Sequence, residues 1–369
     1  MAIHKYNFQK RDFLYGGIIT CIIGGLALVL AMIGLTTGAF DPIGQALNNY
    51  HISDGFFYAR ALNQRDSEVL NPGIVLVDIK DCDSRKEIAE IVNRVNESQP
   101  RLLAVDIIFG KASSTICDSD SALVSAFKAS HNLILAQRVL DGPEGCTIER
   151  SFFADDVECV EGEVSFENGT VRSISPSISI QGDDYPTFIS QIAKVGGITD
   201  IFKHQLINFS PIKNVRFDPE NLPPDDLLRD QIVIMGDSQD LRDFHDIPVL
   251  MDGQAKTSGM NIIAQGLYTL RPDNGFTNCP EWLAILIGIL LTYLFCTFIA
   301  SPMFRIGEFN GLWISIWQVI ALLFLLMLTF FIFWTLHFNL SLTYWLIGVS
   351  LSGLATEFFY FVMPKKNKR

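Results

Sequence analysis

Ile74-Val-Leu-Val-Asp-Ile79, introduced by Asn71-Pro-Gly73, decides the fold of this chain. A short run so rich in β-branched apolar residues reads as a strand buried on both faces. Residues 85–98 follow with Ile88, Ile91, Val92 and Val95 at helical spacing, and Pro100 ends that helix. Leu102-Leu-Ala-Val-Asp-Ile-Ile-Phe109 is a second buried strand, residues 118–130 a second amphipathic helix, and Asn132-Leu-Ile-Leu-Ala136 a third strand. Strands alternating with helices through short links imply crossover connections and a mainly parallel α/β sheet, with successive strands side by side. Residues 141–221 lose this rhythm; Val171-Arg-Ser-Ile174 and Ser177-Ile-Ser-Ile180 suggest short strands and residues 185–195 a helix. Order returns with the strand Gln231-Ile-Val-Ile-Met-Gly236 and a helix over residues 258–270.

Outward from this region, four apolar stretches flank it, at residues 13–40, 282–300, 312–336 and 342–362. Each is near or above the roughly 18–20 residues that cross a bilayer as a helix. The sequence thus divides into a short N-terminus (1–12), a first span, an acidic domain (41–281), three further spans and a basic tail (363–369). Of 28 Lys and Arg, 20 lie between residues 36 and 281; the other eight, including Lys5, Arg11, Arg305 and Lys365, fall on one side of a four-span arrangement. Positive loops remain cytoplasmic, so both termini are expected inside and the large domain outside. The first stretch is too long for a typical cleaved signal and reads as an uncleaved anchor. Within it Gly17, Cys21 and Gly25 have the small-residue spacing that lets helices approach. The domain holds 37 of the 40 acidic residues, which argues against a nucleic-acid partner.

Five of seven cysteines fall in the exported part, where disulfides persist. Cys82 and Cys117 lie in loops after successive strands, and Cys146 and Cys159 bracket one irregular segment; these are the expected pairs. No CxxC pair suggests zinc, and no metal or cofactor is expected. Asp78, Asp106 and Asp237 fall at or just beyond the C-terminal ends of three strands, the edge where open α/β sheets bind ligands. The next loop adds Asp243, His245 and Asp246. These residues are either a carboxylate-rich ligand or cation site or a set of loop carboxylates that cap helices and bind backbone amides. No nucleophile elbow, phosphate loop or metalloprotease helix is present, so catalysis is not expected.

These residues bring a family into view: residues 1–362 resemble the CHASE domain of the second type, an extracytoplasmic sensory module of bacterial receptor kinases and nucleotide cyclases. Ser53-Asp-Gly-Phe-Phe-Tyr-Ala-Arg60 is similar to the Asp-x-x-aromatic-x-x-Arg segment after the first span. The two Asp-containing strands, Val233-Ile-Met-Gly236 with Asp243-x-His245-x-x-Pro248, and Gly259-Met-Asn-Ile-Ile-Ala264 match further family motifs in order. Cys82-Asp-Ser-Arg85 departs from the Trp-Pro-x-x-Arg usual after the first strand. The resemblance implies a sensor or adaptor of the bacterial inner membrane that binds a small ligand or exported protein. Members usually continue into a cytoplasmic kinase or cyclase; here a basic tail follows the last span, so a separate membrane or cytoplasmic output protein is expected. That tail is suited to anionic membrane lipid, and homo-oligomers are possible. The alternative is a structural or assembly subunit of an envelope complex.

Overall fold

A computed structural model describes residues 10–37, 52–63, 69–110, 117–142, 145–166, 169–209, 212–218, 225–251, 254–300, 311–340 and 343–362. Two compact units result, one formed by residues 53–276 and the other by described residues on either side of it.

The first unit is mixed α/β. Its strands are β1 (Val69–Asp78), β2 (Leu102–Val105), β3 (Leu133–Gly142), β4 (Gly145–Arg150), β5 (Val160–Glu163), β6 (Ser173–Ile174), β7 (Ser177–Ile180), β8 (Asp183–Pro186), β9 (Gln205–Leu206), β10 (Ile212–Phe217), β11 (Ile232–Gly236), β12 (Phe244–Met251) and β13 (Gln254–Ser258). Seven form the main sheet in the order β10-β1-β11-β2-β3-β4, with β5 also paired to β3. All these pairings are parallel except β3 with β4. Strands β1 and β2 are therefore not neighbours, contrary to the expectation from chain order; β11 lies between them. Every residue of β11 is buried, and a strand apolar on both faces requires partners on both edges and cover on both sides.

Helices α2 (Ile52–Asn63), α3 (Arg85–Glu97), α4 (Cys117–Lys128), α5 (Phe188–Val195), α6 (Asp225–Leu228) and α7 (Gly259–Thr269) complete the unit. Helix α3 is capped by the Ser84 hydroxyl, which accepts from Glu87 N–H, and buries Ile88, Ile91, Val92 and Val95. It packs with α4 against Val75, Val77, Leu103, Val105, Val233 and Met235, one face of the sheet. The alternate residues Ile74, Leu76, Leu102, Ala104, Ile232 and Ile234 are equally buried, as strand pleating requires when both faces are covered. Helices α5 and α7 pack against the same strands and each other. Arg85 joins α3 to α4 through a 2.7 Å ion pair with Asp120 and lies over the Phe109 and Phe153 rings. In α2, Asp54 accepts both arms of Arg172, Arg60 donates to Asn208 and Phe57 is buried, so this segment is part of the fold.

The cysteines do not form the expected pairs. Cys82, Cys146 and Cys159 are free thiols, and the Cys117 side chain lies outside the described residues. Cys146 pairs in register with Asp141 of β3, whereas Cys159 precedes Val160, the partner of Ile134. About seven residues of strand separate these positions, roughly 20 Å or more, far beyond the roughly 6 Å Cα spacing of a disulfide.

The second unit contains α1 (Lys10–Thr37), α8 (Glu281–Phe295) continued by a π-helical turn (Cys296–Ala300), α9 (Gly311–Leu336) and α10 (Thr343–Val362). All four helices include a segment long and apolar enough to cross a membrane. Small residues set their contacts. A Cβ on Gly16 would lie 2.9 Å from Thr297 Cα, and one on Gly288 would lie 2.7 Å from Tyr344 Cβ. Gly17 and Gly25 make no comparably close approach and Cys21 is exposed, so the expected stripe is not the packing face of α1. Gln318 of α9 donates to the Val349 carbonyl of α10 at 2.9 Å, a polar link of the kind that joins helices where water is absent.

Candidate functional site

The register of the central strands places Asp78, Gly236 and Asp106 in a row at the C-terminal edge. Asp78 is opposite Gly236, and Asp106 follows Val105, the partner of Met235. Backbone bonds continue the row: Ile79 N–H donates to Gly236 O at 3.0 Å and Asp106 N–H to Met235 O at 2.8 Å. Gly236 lies where a Cβ would meet Asp106 Cβ and Met260 at 3.5 Å. The start of α7 therefore faces this edge, where a helix N-terminus favours negative groups.

The four carboxylates of this edge differ in their partners. Asp78 is fully buried; it accepts from Ser238 N–H at 3.1 Å and Lys80 N–H at 3.2 Å, and the Ser238 hydroxyl donates to it. Arg216 of β10 approaches it to 3.9 Å. Asp237 accepts from Gln239 N–H at 2.8 Å and closes its own turn. Asp243 accepts from Gly259 N–H at 2.9 Å and caps α7, a role that Ser258 at the N-cap does not fill with its side chain. A Cβ on Gly259 would fall 2.6 Å from that carboxylate; the glycine is the seat for Asp243. Asp106 differs again: burial first, and then the Asp243 carboxylate, push it up to about 8, against the opposing pull of Arg138. A neighbouring negative charge and partial burial both disfavour the ionised form of Asp106.

His245 places Nε2 3.4 Å from Asp243 and its ring 4.8 Å from Phe166. Asp246, three residues beyond Asp243 and within the β12 hairpin, is exposed and lies 3.4 Å from Lys256. Among the expected site residues, the structure thus groups Asp106, Asp243 and His245, anchors Asp78 beside them, and turns Asp237 and Asp246 to local partners. Among the described residues no set of three His, Cys, Asp or Glu side chains is arranged to hold a metal ion. Ser238, Arg216 and Arg138 escaped the sequence reading. Ser238 directly follows Asp237 and was the most accessible of the three, whereas the arginines arrive from β10 and β3 only through the sheet.

Chemically, the edge offers a carboxyl raised toward its neutral form at Asp106, an imidazole beside Asp243 and peripheral arginines, over a helix N-terminus. Comparison with curated proteins and with solved structures gives no match. Residues 26–298 match the CHASE2 domain, a sensory and extracytoplasmic family. The match runs from within the first candidate span to within the second, and the chain belongs to the CHASE2 family.

Proposed function

We propose that this protein is a sensor or adaptor of the bacterial inner membrane, with both termini cytoplasmic and the α/β unit exposed outside. In this reading the unit binds a small ligand or exported protein at the edge formed by Asp106, Asp243 and His245. Binding shifts the packing of the spans, and a separate output protein reads the shift. The observation that carries the reading is the CHASE2 match bracketed by candidate spans. Such signalling requires a ligand with different affinity for two arrangements, and helices packed through Gly16, Gly288 and Gly348 offer closely fitted surfaces on which two arrangements can differ.

Mild-detergent purification of the full chain from its host, with mass spectrometry of what accompanies it, tests this. A stoichiometric kinase, cyclase or regulator is expected. A set of envelope-assembly proteins, or the chain alone, overturns the adaptor reading in favour of a structural subunit.

A further inference from the structure

A second site lies away from the acidic edge, in the segment whose sequence had the least pattern. Between the end of β5, strands β6 and β7, and the first turn of α5 is a cavity of about 330 Å³. Its apolar walls include Ile174, Ile178, Ile189, Ile263, Phe166 and Phe188. Ser165, Ser173 and Ser177 also line it. Other polar groups of the lining are engaged: Ser175 with His204 at 2.8 Å, Ser179 with Asp184, and Thr187 with the Ser175 carbonyl at 2.8 Å.

Among the described residues Glu163 is the only ionisable one in this lining, and it is buried. Its two oxygens accept from Val139 N–H at 2.6 Å and Ser165 N–H at 3.0 Å. Among the described residues no lysine or arginine lines the cavity to balance an anion. A cation would exchange its water for seven apolar side chains and a carboxylate already bound by amides. The volume is at the small end for ligand pockets, and about twice that of a cavity that holds benzene.

We infer that this cavity is a binding site for a small uncharged molecule of one or two rings or equivalent aliphatic bulk, carrying a hydroxyl or carbonyl that the three serines recognise. The occupant touches groups that lead to the acidic edge. Phe166 stacks edge-on against His245, which neighbours Asp243. Ile263 is one turn along α7 from Gly259, where Asp243 caps the helix. The site is distinct from that edge and its occupancy does not depend on the adaptor reading.

The test uses the full chain in lipid nanodiscs, with fluorine NMR of 4-fluorophenol, 4-fluorobenzoate and 4-fluorobenzylammonium, each corrected for empty nanodiscs. Saturable broadening of 4-fluorophenol alone is expected. Ile178→Trp, which fills the cavity, should weaken it by about tenfold or more, and Ser177→Phe should do the same from the adjacent position. Leu241→Ser, at an exposed loop position outside both sites, should leave it within about twofold. Melting curves establish that each variant is folded, and either filling variant suffices for the comparison. Absence of saturable phenol binding, equal binding by a folded filled variant, or preference for the benzoate or the ammonium overturns the proposal.

Discussion

At the scale of single residues, the acidic edge is built from carboxylates with unequal work. Asp106 prefers its neutral form in the folded protein, because burial and Asp243 raise it to about 8. The unfolded value is near the ordinary 3.8, so the folded state holds the proton more tightly. That contribution to stability is complete below pH 4 and is lost as pH rises through 8. Asp106→Asn should flatten this part of the melting temperature against pH and raise the melting temperature at pH 8; an unchanged slope would show that Asp106 is ionised in the fold. Gly259 is tied to Asp243 by a different argument. Gly259→Ala displaces the capping carboxylate and should cost about 1 kcal/mol, the typical worth of an N-terminal cap. In an Asp243→Ala background the same change should be neutral or slightly stabilising, since alanine is the better helix former. A double-mutant cycle on chemical denaturation reads the difference, and additivity would refute the contact.

At the scale of elements, β5 meets α5 with no room between them. A Cβ on Gly162 would lie 2.5 Å from Phe188 Cα and 2.9 Å from its nitrogen, both backbone atoms that cannot rotate away. Gly162→Ala should therefore cost roughly 1–3 kcal/mol by overpacking, seen as a clear drop in melting temperature. Gly55→Ala, with open space around its Cβ position, is the control expected to change little. Because β5 and α5 also wall the cavity, Gly162→Ala should weaken 4-fluorophenol binding as well. Helix α2 belongs to the same scale. Its Asp54 and Arg60 serve as attachments to Arg172 and Asn208, which gives a structural reason for the Asp-x-x-aromatic-x-x-Arg spacing.

For the whole molecule, orientation in the membrane is the property on which the sensor reading depends. Leu241, at 84% exposure in the loop between β11 and β12, and Lys368 of the basic tail, beyond the last candidate span, are convenient reporters. With the native cysteines replaced, Leu241→Cys should react with a membrane-impermeant maleimide on intact spheroplasts. Lys368→Cys should react only after permeabilisation. The reverse pattern would place the α/β unit in the cytoplasm and end the extracytoplasmic reading. Asymmetry in Lys and Arg motivates the expected direction.

Local patterns made much of this architecture legible. Apolar runs of strand length, helical spacing in Ile88–Val95 and long uncharged stretches each report on a few neighbouring residues, and the elements occur near where those patterns fall. The Asp residues at strand ends were legible for the same reason, since strand direction alone sets which end they occupy. Sheet order was not: β11 enters between β1 and β2 because an apolar strand seeks cover on both edges, and that choice is made by residues more than a hundred positions away. The cysteine pairing failed on register, which places Cys146 and Cys159 toward opposite ends of β3. The partners of Asp78, the seat of Asp243 on Gly259 and the cavity in residues 163–189 likewise arise from contacts between distant segments. Sequence alone thus determined which segments become strands, helices and candidate spans, because short-range periodicity suffices for that. Tertiary structure decided which carboxylates face each other, which thiols stay apart and where a small molecule finds room, because those depend on three-dimensional neighbours that no local pattern records.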